Sequence, residues 1–276
     1  MIGVGIVVYN PDYQQLEKAI QVLAWQDCEI LLIDNSEKGE KHLEYIEEKN
    51  RCTVIYNKKN CGVAKAYNQI MHFFSDRGIE YVLTLDQDSV CPENIVEEYI
   101  KYTHIPDVGI ICPVLDYKGD DKGVEQNQEY KYVSACISSG SLISIDCWKN
   151  CNGFDEDFFI DFVDFDFCYS IREKGYKIIQ IQMVHLDHEL GNLTVKYIFG
   201  KKIMVTNHSP LRKYYFIRNA IICHKKHKKM YGLANLLRDI VNNYLKTLLY
   251  EENKIDRIKM MNKGVINGIR KRCVNI

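Results

Sequence analysis

In the segment LTLDQDSV a hydrophobic run delivers Asp86 and Asp88, two residues apart, at its carboxyl end. Side chains at i and i+2 of an extended chain point the same way, so both carboxylates can address one site. Hard oxygen donors suit Mg²⁺ or Mn²⁺, ions that keep several waters and are usually shared between a few carboxylates and substrate phosphates. The competing reading is a solvated acidic turn after a strand. A second cluster sets Asp155, Glu156, Asp157, Asp161, Asp164 and Asp166 among Phe158, Phe159, Phe162, Phe165 and Phe167. Apolar surroundings raise a carboxyl pKa and can tune one such group as a general base, while most of the six are expected to cap helices or face water. The third feature, His185-Leu186-Asp187-His188, offers either a further metal ligand or an ordinary structural contact.

These groups need a frame, and the apolar periodicity supplies one. Residues 2–9 (IGVGIVVY) read as a buried strand; Asn10-Pro11 then provides an N-cap and a first-turn proline for a helix with Leu16, Ala19, Ile20 and Leu23 on one face. The run EILLID (29–34) is a second strand, followed by a charged helix at 39–49 and a strand at 52–56. A helix over 61–77 carries Val63, Tyr67, Ile70, Met71 and Phe74 and is closed by Gly78. EYVLTLD (80–86), a helix opened by Pro92 and a strand at 108–112 continue the βαβαβ rhythm of a parallel sheet with helices on both faces. Such sheets bind ligands beyond the carboxyl ends of their strands, where Asp86 and Asp88 stand. The pair Gly3-Val4-Gly5 is not a dinucleotide fingerprint: Ile6, Val7 and Val8 continue the strand and the third glycine is missing, which disfavours a dehydrogenase.

Beyond residue 113 the rhythm breaks. A polar excursion at 116–129 precedes a strand-like run at 132–137, a Ser-Ser-Gly turn and SLISI at 141–145. The acidic, aromatic stretch 153–178 is mostly helix-compatible and stops at Gly175; a short strand over 178–182 follows. Near the end, Leu233, Leu236, Leu237, Ile240, Val241, Tyr244, Leu245 and Leu248 recur at helical spacing opposite Asn235, Arg238, Asp239, Asn242 and Lys246, an amphipathic helix of about five turns.

Composition narrows the function classes. The chain has 276 residues, 46% hydrophobic, with 5 Pro and 16 Gly, which excludes a disordered or collagen-like protein. No apolar run reaches the ~18 residues of a membrane span, and MIGVGIVVYN lacks the charged start of a signal peptide, so a cytoplasmic location is expected. The eleven cysteines form no C-x-x-C pair and are expected to be buried free thiols. Net charge is −1, yet residues 1–189 hold 17 Lys+Arg against 33 Asp+Glu, whereas 190–276 hold 19 against 4. The cationic tail would be drawn to anionic lipid, to nucleic acid or to the acidic remainder of its own chain.

Taken together, VVYN at 7–10, Ile33-Asp34-Asn35-Ser36, Asn60-Cys61-Gly62-Val63-Ala64 with Asn68, LDQDS at 85–89, Ser139-Gly140-Ser141 and GFDEDFFID at 153–161 resemble, in order, the inverting glycosyltransferases of family 2 with the GT-A fold. The match covers roughly residues 2–190. FIDFVDFDFCYSIREKGYKI at 159–178, HELG at 188–191 and RKYYFIRN at 212–219 are most similar to bacterial rhamnosyltransferases that build capsule, O-antigen or rhamnan chains. The resemblance implies an α/β GT-A fold, a mostly parallel Rossmann-like sheet flanked by helices, over residues 1–200. Within it, 1–112 would form the nucleotide-sugar half and 113–200 the acceptor half, with 201–276 a basic helical extension.

It also implies roles. Val8, Tyr9, Asn10 and Asp34 would line the nucleotide pocket, with Asp34 at the base, and Asn60 and Ala64 would wall it. Asp86 and Gln87 would approach the ribose and diphosphate, Asp88 would hold the metal with Asp86, and His188 falls where the family often supplies a further metal contact. Ser139, Gly140 and Asp161 would meet the acceptor. Asp164 matches the catalytic aspartate of a Glu-Asp motif in which Val163 here takes the Glu position, and Asp166-Phe167 stands where such enzymes tend to have Glu-Trp. The donor expected is dTDP-rhamnose, with a UDP-hexose as the alternative, and the acceptor is a saccharide, in such pathways commonly lipid-linked at the inner membrane leaflet. The tail would then touch anionic membrane, while the alternative packs the stripe of 233–248 on the catalytic domain or on a second subunit as a homodimer. A haloacid-dehalogenase-like phosphatase is disfavoured because several elements precede Asp86. A non-catalytic nucleotide-sugar or polyanion binder would use the tail with Tyr214, Tyr215 and Phe216, but the acidic remainder argues against a nucleic-acid partner.

Overall fold

The computed structural model describes residues 2–24, 26–116, 128–187, 194–198 and 201–271. Its first elements follow the apolar runs in turn: β1 (Ile2–Val8), α1 (Tyr13–Ala24), β2 (Cys28–Asp34), α2 (Glu40–Asn50), β3 (Thr53–Tyr56), α3 (Val63–Ser75) and β4 (Tyr81–Asp86). The four strands are parallel in the order β3-β2-β1-β4, the central ones apolar on both faces as a helix-covered sheet requires. α1 buries the four residues expected of it, Leu16, Ala19, Ile20 and Leu23. Its start differs from expectation. Asp12, not Asn10, accepts the first free amides, from Gln14 at 3.0 Å and Gln15 at 3.2 Å, while Asn10 takes a left-handed turn at φ 45°. Gly3 and Gly5 have a packing reason: a Cβ on Gly5 would lie 2.2 Å from Ile70, and one on Gly3 2.6 Å from Phe74, so only glycine lets α3 press onto β1.

Then come α4 (Ile95–Ile100), β5 (Val108–Asp116), β6 (Tyr130–Tyr132), β7 (Ser141–Ser144), α5 (Ile145–Asn150), α6 (Val163–Glu173) and β8 (Lys177–Asp187). They extend the sheet to eight strands in the order β3-β2-β1-β4-β7-β5-β8-β6. β7 runs antiparallel between β4 and β5, and β8 is parallel to β5, so the sheet is mixed with a parallel nucleus. The strand expected at 132–137 is confined to 130–132. β6 lies at the sheet edge and β7 in its interior, so the chain between them must leave the ladder to pass two strands. The helix expected through most of 153–178 begins only at Val163, because Gly153, Asp161 and Phe162 adopt positive φ of 76°, 61° and 66°. β8 is longer than the apolar run predicts. Pro113 pairs with Ile181 but Val114 with His185, and this slip carries the strand on to Asp187. Most of the polar excursion, 117–127, lies outside the described residues.

By its internal contacts the chain divides into two compact units, 1–157 with 167–189, and 158–166 with 190–276. The division falls at 189/190, and it assigns the aromatic turn and the start of α6 to the second unit. That unit holds an antiparallel hairpin of β9 (Thr194–Ile198) and β10 (Lys201–Val205), then α7 (Pro210–Lys226), α8 (Leu233–Tyr250) and α9 (Lys254–Arg270). Ser209 caps α7 ahead of Pro210 at its first turn. α9 packs on α7 through Gly264 and Gly268, where a Cβ would fall 2.6 Å from the Tyr214 carbonyl and 2.9 Å from that of Arg218. The Lys225 ammonium closes the end of α9 on the carbonyls of Gly268, Ile269 and Lys271. Among the described residues no helix is long and apolar enough to cross a membrane, and all ten cysteines are free thiols.

Candidate active site

The parallel nucleus ends on one edge, and the register there is tight: Val8 pairs with Asp34, Asp34 with Tyr56, and Val7 with Asp86. Chain order reverses between β2 and β4 on either side of β1, which makes this the crevice edge of the sheet. Backbone groups leaving the strands are caught by side chains. The Tyr9 amide donates to Gln87 Oε1 at 2.7 Å, and the Asn10 amide donates to Ser36 Oγ at 2.7 Å. Asp34 is buried and accepts the Ser36 amide at 2.8 Å, the local turn that an acid two residues before a serine favours. Asn35 donates to the Gly62 carbonyl at 3.2 Å, and Asn60 accepts the Gly62 amide at 3.0 Å, which ties the start of α3 and buried Ala64 to the same edge. Val8, Tyr9, Asn10, Asp34, Asn60, Ala64, Asp86 and Gln87 thus belong to one connected set within the first unit.

β4 ends at Asp86, and Gln87 and Asp88 form a turn, so the extended-chain argument for two parallel carboxylates does not hold at Asp88. The Asp86 carboxylate accepts from the Tyr67 hydroxyl at 3.3 Å, and its amide donates to Ser139 Oγ at 3.1 Å. Asp88 is exposed, its carbonyl held by Gln15 Nε2 at 3.1 Å. Ser139 is buried and shares a 2.7 Å hydrogen bond with Ser89; Gly140 turns at φ 79° to place its amide on the Thr84 carbonyl, with Leu186 and Pro113 leaving no room for a Cβ. Two carboxylates supply hard oxygens for a divalent cation. Among the described residues no three Asp, Glu, His or Cys groups are gathered to hold a cation by themselves. His188 lies outside the described residues. His185 is not oriented as a third ligand: its ring nitrogens face Asp116 at 2.9 Å and the Gln182 carbonyl at 3.0 Å.

The second acidic cluster is split between structural duties. Asn68 anchors its start, accepting the Phe154 amide and Trp148 Nε1 and donating to the Phe154 carbonyl and Glu156, all at 2.9–3.1 Å. In the second unit, Asp161 receives Arg212 through both Nε and Nη2 at 3.0–3.3 Å. Burial pushes its carboxyl pKa up, against the pull of Arg212 and Lys213. Asp166 is buried between Lys226 at 2.8 Å and His227 at 3.0 Å, which locks the first turn of α6 to the end of α7. Asp164 sits half-buried in that same turn.

The profile of glycosyl transferase family 2 matches residues 3–171. The chain belongs to glycosyl transferase family 2. A dTDP-rhamnosyl transferase, RfbF of Shigella flexneri, is 27% identical over 96% of this chain and 94% of its own. Among solved structures, GalNAc-T7 with UDP, GalNAc and Mn²⁺ superposes with a TM-score of 0.64 at 14% identity, over 96% of this chain and 54% of that one. S. aureus TarS 1–349 gives 0.60 at 13%, over 98% and 81%. At such identities the structural likeness carries the fold, and that fold is the expected GT-A arrangement.

In this family 2 glycosyltransferase, several supporting residues carry no role in the sequence reading. Ser36 is signalled by its place two residues after Asp34. Tyr67 gives no separate signal, since it also fits the helical face of α3, and Asn68 enters only as part of the family motif. Ser89 directly follows Asp88 in the chain, whereas Gln15 meets Asp88 and Arg212 meets Asp161 only through the fold.

Proposed function

We propose that this glycosyltransferase moves L-rhamnose from dTDP-rhamnose to a saccharide acceptor, with inversion at the anomeric carbon, in the building of a cell-surface polysaccharide such as capsule or O-antigen. The observation that carries the donor assignment is the relative named for dTDP-rhamnose, aligned along 96% of the chain. In this reading Asp34 and the backbone of Val8, Tyr9 and Asn10 receive the nucleoside, Asn60 and Ala64 wall its pocket, and Gln87 and Asp86 meet the ribose and diphosphate. Asp88 with Asp86 would hold Mg²⁺ or Mn²⁺, with His188 as the further contact. A divalent cation on the diphosphate supplies charge neutralisation for the leaving group without proton transfer. Asp164 takes the proton of the attacking acceptor hydroxyl, and Ser139, Gly140 and Asp161 belong to the acceptor side. The acceptor is lipid-linked and presented at the inner leaflet of the membrane.

A donor panel tests this. With Mg²⁺ or Mn²⁺ and a saccharide acceptor, release of nucleoside diphosphate is expected from dTDP-rhamnose and not from UDP-hexoses. Faster release from a UDP-hexose would replace the donor; no release from any nucleotide sugar would remove the reading.

A further inference from the structure

α8 turns Asp239, Asn243 and Thr247 inward beside Leu236 and leaves a row of apolar side chains outside. Only Leu236 and Thr247 are fully buried along it. On the inner side Asn243 receives the Lys213 ammonium at 3.2 Å, Asp239 takes the Tyr231 hydroxyl at 2.7 Å, and Thr247 donates to Glu251 at 3.1 Å. Lys213 and Glu251 themselves form a buried ion pair at 2.7 Å, their side chains 2% and 1% exposed, with Arg257 beside Glu251. On the outer side Leu233, Leu237, Val241 and Leu245 recur every four residues and Leu248 and Leu249 continue them, each between 47% and 60% exposed. A surface helix ordinarily turns such a stripe toward its core. Here rotation would draw Asn243 away from Lys213 and Thr247 away from Glu251, and leaving buried charges short of partners is strongly destabilising. A contiguous apolar row held outward in this way marks an interaction surface.

α9 extends that surface and gives its charge. Ile255, Ile266 and Ile269 are 71%, 48% and 62% exposed, and Lys254, Lys259, Lys263 and Arg270 are exposed among them. Exposed Asn262 accepts from the Tyr244 hydroxyl at 2.6 Å, next to Leu245 in sequence and one turn before Leu248, so the two outer faces adjoin. Arg238 on α8 and Lys228 and Lys229 before it add exposed cations, against Glu252 and Asp256 as exposed acids. Protein interfaces deplete lysine, whereas a surface that mixes a Leu/Ile row with Lys and Arg suits the headgroup region of an anionic bilayer. We infer that the outer face of α8 and α9 lies on an anionic phospholipid surface, bound in the interface plane. The inference stands apart from the donor and acceptor assignment, because its readouts use neither.

The test is flotation of the full chain with vesicles of phosphatidylcholine alone and of phosphatidylcholine mixed with phosphatidylglycerol. The protein should float with the mixed vesicles, stay behind with the neutral ones, and be released by salt. Leu237→Ser with Val241→Ser should lower partition about tenfold or more. Lys259→Gln with Lys263→Gln should lower it about 30-fold, at about fivefold per charge. All four side chains are exposed, so unchanged thermal melting is expected of both variants. Failure to float with anionic vesicles, or equal flotation of both variants and the parent, would overturn the inference. So would a sedimentation mass of two chains that Leu237→Ser with Val241→Ser reduces to one, which would assign the stripe to a second copy.

Discussion

In the first unit β1, β2 and β4 bury Val4, Ile6, Leu31, Leu32, Leu83 and Leu85 and leave Asp34, Asp86 and Gln87 at the strand ends, whereas the second unit buries Lys213, Glu251 and Asp166 and turns Leu237, Val241 and Leu245 outward. The first takes its stability from apolar burial, so the polar groups at its edge can serve ligands. The second also buries Ile217, Ala220, Ile222 and Met261, but it adds buried ion pairs, which contribute little net energy as pairs yet penalise every arrangement that separates them. Charge there decides which face of α8 is presented, so charge substitutions at the strand ends of the first unit and at Asp164 should act on function, and those at the buried Lys213–Glu251 pair on folding.

The largest effect is expected at Asp164. Asp164→Asn should lower turnover by about 10²–10⁴ while donor binding persists, and near-normal turnover would reject it as the base. Asp88→Ala should instead weaken metal-dependent donor binding in a calorimetric titration while the melting temperature holds; a cooperative loss of folding would break the contrast between the units. Lys213→Met should cost about 3–5 kcal/mol in a denaturant titration because Glu251 is left buried without its main partner, and adding Glu251→Leu should recover part of that loss. A silent Lys213→Met would refute the claim that this pair sets the orientation of α8. Gly264→Ala should cost about 1–3 kcal/mol, since its Cβ would meet the Tyr214 carbonyl at 2.6 Å and push α9 from α7.

A last effect concerns pH. Burial, with Arg212, Lys213 and Arg257 nearby, pushes the His208 pKa down from 6.5 to about 3. Between these values the unfolded chain binds a proton that the folded one refuses, so stability is full above pH 6.5 and falls as pH drops toward 3. Urea midpoints across that window should fall less steeply in His208→Gln, and parallel curves would remove this contribution.

The sequence alone determined the alternation of β1 through β4 with their helices and the placing of Asp34 and Asp86 at strand ends, because a two-residue or 3.6-residue apolar period is a local property. It also determined the order of motifs that marks the family. It left open what depends on pairing across the chain. Ser139 reaches the Asp86 amide only because β7 enters between β4 and β5, and Asn68 can grip Phe154, 86 positions further on, only after the chain between them has folded back. The same limit hid the turn at Asp161 and Phe162, the slip that lengthens β8, and the α7 and α9 pairing at Gly264. It hid the facing of α8 most of all: periodicity defines an apolar stripe but not its direction, and that was decided by Lys213 and Glu251, 38 residues apart, which had to be buried together.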